Sequence, residues 1–233
     1  MTQKLSSVGI IPDGNRRYAS KHNVSLLQAY SQGVRKAQDA VTWLDRYPSI
    51  KTVTFYTLSL ENLQRNKAEL SILLRLFKKQ IQDAIKTKFF DEHEITPKFV
   101  GRLSELPKNL RDLMREAEED FEGHPRTLNF AIAYTGRAEI VDASKRIAQE
   151  YRDGKIELED VTEESFPSYL YSPMSFPELI FRTGDTKRLS GFLTYESAYS
   201  ELYFSEKLWP EVEEADFKDA VEYYAKAQSR FGK

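Results

Sequence analysis

Cysteine is absent from the 233 residues, so the chain can build neither a disulfide framework nor a thiolate metal centre, and it suits a reducing compartment. Histidine is scarce: His22, His93 and His124 are the three in the chain, they have no metal-ligand spacing, and each reads as a surface or helix-end side chain. Charge of one sign is lacking too. With 34 Lys and Arg against 36 Asp and Glu, no net basic field exists to hold a nucleic-acid backbone, and no nucleic-acid partner is expected. No apolar run approaches the ~20 residues of a bilayer span, and the amino-terminal stretch lacks a signal-peptide core. The ten Gly and nine Pro form no linker, so the reading is a single domain over residues 1–233 in the cytoplasm. Missing as well are G-x-x-x-x-G-K-[ST], G-x-G-x-x-G after a strand, G-x-S-x-G and H-E-x-x-H, which removes nucleotide, serine-hydrolase and zinc-hydrolase readings.

What is present is an alternation of short apolar runs with longer stretches of 3.6-residue period. This predicts an α/β fold with a mainly parallel six-stranded sheet flanked by helices. Strands are expected near 5–11, 51–57, 97–101, 126–134, 178–183 and 200–204. Helices are expected near 25–46, 66–90, 107–121, 137–152 and 214–229, with a shorter one near 163–170. In open sheets of this kind ligands sit beyond the carboxyl ends of the strands. The segments that follow those ends read "PDGNRR", "LSLENLQRN", "TGRAE" and "RTGDTKRLS".

The first of them poses the chemical question. Val8 to Ile11 is a buried strand end, Pro12-Asp13-Gly14 is a turn, and a helical pattern follows with Arg16 and Arg17 at its start. A strand-to-helix turn presents backbone N–H groups and a helix dipole to anions. A carboxylate at such a place makes sense where a divalent cation bridges it to a phosphate; turn chemistry alone also accommodates Asp and Gly. The four segments together carry Asp13, Asn15, Arg16, Arg17, Ser59, Glu61, Asn62, Arg65, Arg137, Arg182, Lys187, Arg188 and Ser190. That is one metal-capable carboxylate amid many donors to phosphate, enough to hold two phosphate-bearing ligands.

These segments resemble the cis-prenyltransferases, the family of undecaprenyl and dehydrodolichyl diphosphate synthases. "IIPDGNRRYA" is similar to the family's D-G-N-x-R block, "YTLSLENLQR" to its S-x-E-N block and "FRTGDTKRLSGFL" to its R-T-G-x-x-x-R-x-S block; "YSELYFSEKLWPE" and the terminal "RFG" resemble the last two. The blocks run almost end to end, in the family's order. The resemblance implies the cis-prenyltransferase fold, elongation of an allylic prenyl diphosphate by isopentenyl diphosphate with Mg²⁺, a homodimer, and membrane contact through a lipid product. It implies that Asp13 holds the metal against a diphosphate and that Asn15 positions or deprotonates the incoming substrate. Gly14 would let the backbone approach, Arg17 and Arg65 would grip the allylic diphosphate, and Arg16, Ser59, Glu61 and Asn62 would be further substrate-binding residues. Arg182, Arg188 and Ser190 would hold isopentenyl diphosphate, and Glu201 would be a second metal-associated carboxylate. Arg230 and Gly232 would reach the partner subunit's site.

The region 66–90 carries Leu70, Leu73, Leu74, Leu76, Phe77, Ile81, Ile85, Phe89 and Phe90, more apolar surface than one core-facing stripe requires. The resemblance implies that it walls a hydrophobic tunnel; ordinary core packing is the plainer reading. Several positions depart from the family pattern: Leu26 and Tyr30 stand where Arg and His usually contact the allylic diphosphate, Leu63 replaces an aromatic, Ala133 an Asn and Asp185 a Gly. Two alternatives follow, irregular prenyl transfer or transfer to another acceptor by the same site, and a non-catalytic partner subunit. The retained D-G-N block and terminal R-F-G speak against the second. A phosphate-ester hydrolase on the same basic rim has no identifiable nucleophile.

Overall fold

The structure, a computed structural model, describes residues 4–171 and 176–228. Six strands, β1 (Ser7–Ile11), β2 (Thr52–Ser59), β3 (Ile95–Val100), β4 (Arg126–Tyr134), β5 (Leu179–Arg182) and β6 (Glu201–Phe204), form one sheet in the order β3-β4-β2-β1-β5-β6. Every pairing is parallel, so the sheet expected to be mainly parallel is wholly so. All five residues of the central strand β1 are buried, as they must be where helices cover both faces. Pro97 lies inside β3, opposite Leu128; the sheet tolerates it because β3 is an edge strand.

Among the described residues seven α-helices connect and cover the strands: α1 (Asn15–His22), α2 (Leu26–Trp43), α3 (Lys67–Lys86), α4 (Phe89–Glu92), α5 (Lys108–Asp120), α6 (Gly136–Arg152) and α7 (Glu214–Gln228). The helix expected from residue 25 is α2, opened by a capping box in which Ser25 Oγ accepts from the Gln28 N–H and the Ser25 N–H donates to Gln28 Oε1; such reciprocal caps satisfy two orphan donors. The helical pattern after "PDGNRR" becomes α1, closed by Asn23 in the left-handed region at φ 51°, a conformation Asn adopts readily. The long helix expected over 66–90 is two helices, because Lys88 takes φ 55° and turns the chain between α3 and α4. The short helix expected near 163–170 reduces to a single 3₁₀ turn at Phe166–Tyr169.

The pleat of β1 divides the core. Val8 and Ile10 join Ala40, Val41 and Trp43 of α2 and Phe217 and Ala220 of α7 in one cluster, while Ile11 joins Tyr134, Ile180 and Phe192 in another. Gly9 is what admits Phe192: a Cβ there would stand 2.9 Å from its ring. The loop that follows β5, which holds Arg188 and Ser190, is thereby pinned to the sheet beside the strand ends.

Candidate active site

Asp13 follows β1, and its position is set from the backbone. Its carbonyl oxygen accepts from the Trp209 N–H at 2.9 Å and from Thr183 Oγ1 at 2.8 Å. Its carboxylate lies between two guanidiniums, with Arg182 Nη2 donating to Oδ2 at 2.8 Å and Arg17 Nη2 at 3.1 Å from Oδ1. Burial alone would raise the Asp13 carboxyl; the hydrogen bond from Arg182 and the charges of Arg17 and Arg182 outweigh it and hold the group below the usual carboxylate range. The result is an ionised carboxylate with about a third of its surface still exposed (32 %), beside an Arg182 that is only 4 % exposed. Arg182 is itself fixed by β5, by Ser190 Oγ at 2.9 Å and by the Arg188 carbonyl. Arg17 also donates to the Gly184 carbonyl. Gly184 is required there: it sits at φ 83° and a Cβ would come within 2.5 Å of the Arg17 guanidinium.

Asn15 opens α1. Its Nδ2 donates to the Pro12 carbonyl at 3.2 Å, while Oδ1 is buried without a hydrogen-bond partner. That oxygen lies against Gly33 of α2, where a Cβ would meet it at 2.1 Å. A second ionic group stands at the start of α3. Glu69 Oε1 accepts from Tyr30 Oη at 2.6 Å and from Arg65 Nη1 at 2.8 Å, and Arg16 Nε is 3.9 Å away. Arg65 Nη1 also donates to Tyr30 Oη at 3.0 Å. Burial and then the Glu69 hydrogen bond push the Tyr30 hydroxyl up to about 12, so it remains a donor at every physiological pH.

A cavity of about 790 Å³ joins these groups. Asp13, Gly14, Asn15, Arg16, Arg17, Ser59, Glu61, Asn62, Arg65, Arg182, Arg188 and Ser190 all line it, so twelve positions spread over three loops share one mouth. Below the mouth the lining is mainly apolar. Leu73, Leu74, Leu76, Phe77, Ile81, Phe89 and Phe90 face the same space, whereas Leu70 and Ile85 of the same stretch are packed into clusters and are not part of the lining.

Glu201, one of the expected site residues, is not brought in. Glu201 begins β6 and pairs with Leu179, whereas Arg182 at the site end of β5 pairs with Phe204; it is at the opposite end of the sheet from the cavity of its own chain, and it does not line that cavity. Arg230 and Gly232 lie outside the described residues. Leu26, expected to alter the allylic site together with Tyr30, is half-buried and outside the lining. The other departures have physical counterparts: Leu63 packs on the α3–α5 cluster, and Ala133 and Asp185 take φ 49° and 47°, the left-handed conformation that Asn and Gly adopt at least cost. Tyr56, Thr135 and Gly33 line the cavity, Glu69 pairs with Tyr30 and Arg65 of the lining, and all four escaped the sequence reading. For Glu69 a signal existed, the i, i+4 spacing from Arg65.

Among the described residues no group of three or more His, Cys, Asp or Glu side chains could hold a metal, and the histidines each pair with a carboxylate: His22 with Glu211, His93 with Asp45 and His124 with Asp91. No described helix is long and apolar enough to cross a membrane.

A family model described as "Putative undecaprenyl diphosphate synthase" matches residues 11–232. The chain is 40 % identical over 230 residues to a tritrans,polycis-undecaprenyl-diphosphate synthase (geranylgeranyl-diphosphate specific) of Pyrobaculum aerophilum, covering 97 % of this chain and 95 % of that one. It is likewise 40 % identical over 230 residues to the protein of the same name from Thermoplasma acidophilum, covering 97 % and 88 %. Among solved structures it is similar to lavandulyl diphosphate synthase from Lavandula x intermedia in complex with dimethylallyl diphosphate, with a TM-score of 0.91, 29 % identity and 95 % of each chain covered. A probable undecaprenyl diphosphate synthase from Campylobacter jejuni superposes with a TM-score of 0.78 at 28 % identity, again over 95 % of each chain.

Proposed function

The chain belongs to the undecaprenyl diphosphate synthase family of cis-prenyltransferases, and we propose that it condenses an allylic prenyl diphosphate with isopentenyl diphosphate in cis configuration. In each cycle the allylic C–O bond breaks and diphosphate leaves, a C–C bond forms to the terminal alkene carbon C4 of isopentenyl diphosphate, and C2 loses a proton so that the new double bond lies between C2 and C3. The observation that carries this reading is the continuity of one cavity from the Asp13, Arg17 and Arg182 cluster to an apolar wall. Fixed positive charge at the mouth stabilises a leaving diphosphate as its charge develops. The apolar wall takes the hydrocarbon, at roughly 0.8 kcal/mol per buried methylene.

In this proposal Arg17 and Arg65 grip the allylic diphosphate, and Arg182, Arg188 and Ser190 hold isopentenyl diphosphate. Asn15, whose amide is braced between Pro12 and Gly33, positions the incoming substrate. A magnesium ion fits as a partner of Asp13: the carboxylate is ionised and partly exposed, and Mg²⁺ is commonly held by one or two carboxylates together with substrate phosphates rather than by an all-protein cage. Bound there, it would supply neutralisation of diphosphate charge. Glu201 could join such a site only from a second copy, since β6 is an edge strand remote from its own chain's cavity. We therefore include a homodimer, with Arg230 and Gly232 completing the partner's site, in the proposal. A cytoplasmic location, with membrane contact through the lipid product, completes it.

The primer we propose is geranylgeranyl diphosphate. The names of the sequence relatives support it, and so does a deep apolar cavity. The likeness to lavandulyl diphosphate synthase supports the second reading, irregular joining of two short prenyl units, which would leave the deep part of the cavity unused. Incubation with radiolabelled isopentenyl diphosphate and Mg²⁺, with dimethylallyl, farnesyl and geranylgeranyl diphosphates in turn, separates the two. Elongation to a ladder of regular polyprenyl products, fastest from the geranylgeranyl primer, is expected; a single short branched product from dimethylallyl diphosphate alone would replace the first reading by the second.

A further inference from the structure

Among the described residues two side-chain hydrogen bonds join α2 to α3. One is the Tyr30–Glu69 bond at the mouth. The other runs from Gln38 Nε2 to Gln80 Oε1 at 3.1 Å, and both glutamines line the cavity. Their neighbours in the lining are hydrocarbon: Val34, Ala37 and Val41 on α2, Phe77, Ile81 and Ala84 on α3. By helical period the glutamines occupy the same apolar stripes as these residues. Local periodicity therefore calls for Leu or Met at both positions, and an amide stands at each.

The depth of the pair follows from helix geometry. Gln38 is eight residues beyond Tyr30, about 12 Å along α2, and Gln80 is eleven beyond Glu69, about 16 Å along α3, at 1.5 Å of rise per residue. Val41 and Ala84 line the cavity about one turn deeper still. The pair is thus a belt part-way down the cavity and not its floor.

We propose that the Gln38–Gln80 pair is a specificity-determining belt that sets how tightly the tunnel holds hydrocarbon tails long enough to reach it. The inference rests on the prenyl-transfer reading for its biological meaning, though not on the identity of the primer. Each primary amide carries more donors and acceptors than their mutual bond uses. A hydrocarbon tail laid across the belt displaces water from those groups and offers them nothing in return, which is unfavourable where an apolar wall would be favourable. Tails that end above the belt gain with every methylene. Tails that cross it forfeit part of that gain, so long products are held less tightly than an all-apolar tunnel would hold them, and they leave sooner.

The test replaces shape for shape. Gln38→Met with Gln80→Met keeps side-chain length and removes the amides, and Gln80→Glu keeps an acceptor for Gln38 Nε2 as a control. Dissociation constants for a series of unreactive saturated alkyl diphosphates are measured by competition or calorimetry on the full chain. In wild type affinity should rise by about fourfold per methylene for short tails and then flatten once the tail reaches the belt. In the Met double variant short tails should bind as in wild type, which also reports an intact fold, and long tails should bind at least about tenfold tighter; Gln80→Glu should keep the flattening. With isopentenyl diphosphate present, products of the double variant should shift to longer chains. No break in the wild-type series, or equal tightening of short and long tails in the double variant, overturns the belt. Absence of turnover in wild type would count against the prenyl-transfer reading, and the alkyl series would still decide the belt.

Discussion

Two carboxylates, one in the cavity lining and one paired with Tyr30 and Arg65 of that lining, each lie beside two guanidiniums, yet they are built for different ends. Asp13 lies between Arg17 and Arg182 on the ends of β1 and β5, and its surroundings are rigid: a buried arginine, two hydrogen bonds to its own carbonyl, and a glycine that leaves no room for movement. Glu69 lies on a helix, more enclosed than Asp13, with Tyr30 covering it and Arg65 and Arg16 on its open side. The first arrangement keeps a carboxylate charged and partly exposed while its arginines stay in place. In the second, the carboxylate neutralises arginines that a diphosphate would otherwise claim. The difference teaches that counting charges at a rim is insufficient; what matters is which charge is already matched in the empty site.

The largest break in that comparison is expected from Asp13→Ala. Turnover should fall by about 10³-fold or more, the scale of losing a preorganised electrostatic group, while circular dichroism and thermal unfolding show a folded protein, because Asp13 contributes charge rather than packing. Near-normal Mg²⁺-dependent activity would remove Asp13 from the mechanism.

The opposite sign is expected at the second carboxylate. Glu69→Gln retains an acceptor for Tyr30 but frees the charge of Arg65, so KM for the allylic primer should fall, by up to about tenfold if ~1.4 kcal/mol of competition is relieved. KM for isopentenyl diphosphate should stay put. Tyr30→Phe leaves Glu69 to Arg65 and Arg16 and should move the primer KM modestly upward. Steady-state kinetics with each substrate varied reads both, and a rise in primer KM for Glu69→Gln would mean that the carboxylate helps the grip instead of masking it.

The smallest effect concerns a third pair, buried behind the mouth. Glu139 on α6 accepts hydrogen bonds from Tyr134 Oη and the Tyr171 N–H. Beside it Glu196, on the loop downstream of Ser190, has its carboxyl pushed up to about 8 by burial and by the charge of Glu139. A carboxyl raised in the folded state binds its proton more tightly than in the unfolded chain, so the stability it contributes is full below the ordinary carboxyl range and is lost as pH rises through about 8. Unfolding midpoints measured between pH 5 and 9 should therefore fall more steeply for wild type than for Glu196→Gln, whose amide does not titrate. Parallel curves would show that the two carboxyls do not share this burden.

Much of the site was legible in the sequence because its residues are local. Asp13 to Arg17, Ser59 to Arg65 and Arg182 to Ser190 each follow a strand directly, and a parallel sheet carries all strand ends of one polarity to one edge, so alternation of apolar runs was enough to predict that they meet. The helix break at Lys88 was not legible, since a left-handed residue inside an apolar-periodic stretch carries no pattern of its own when it is neither Gly nor Asn. The place of Glu201 was not legible for a related reason: a motif places a residue in sequence, whereas only the register of β5 on β6 decides which end of the sheet it occupies.

The pairings across helices mark the boundary. Sequence by itself determined the α/β class, the edge at which the phosphate-capable donors gather and the chemistry of those donors, because those depend on periodicity and on contacts a few residues apart. Tyr30 with Glu69, and Gln38 with Gln80, are 39 and 42 residues apart in the chain, and nothing in either helix alone says that its polar residue will find the other. Tertiary packing decided them: α2 and α3 lie side by side over the cavity, so their rotation about their own axes sets which side chains meet across the gap and which face the hydrocarbon.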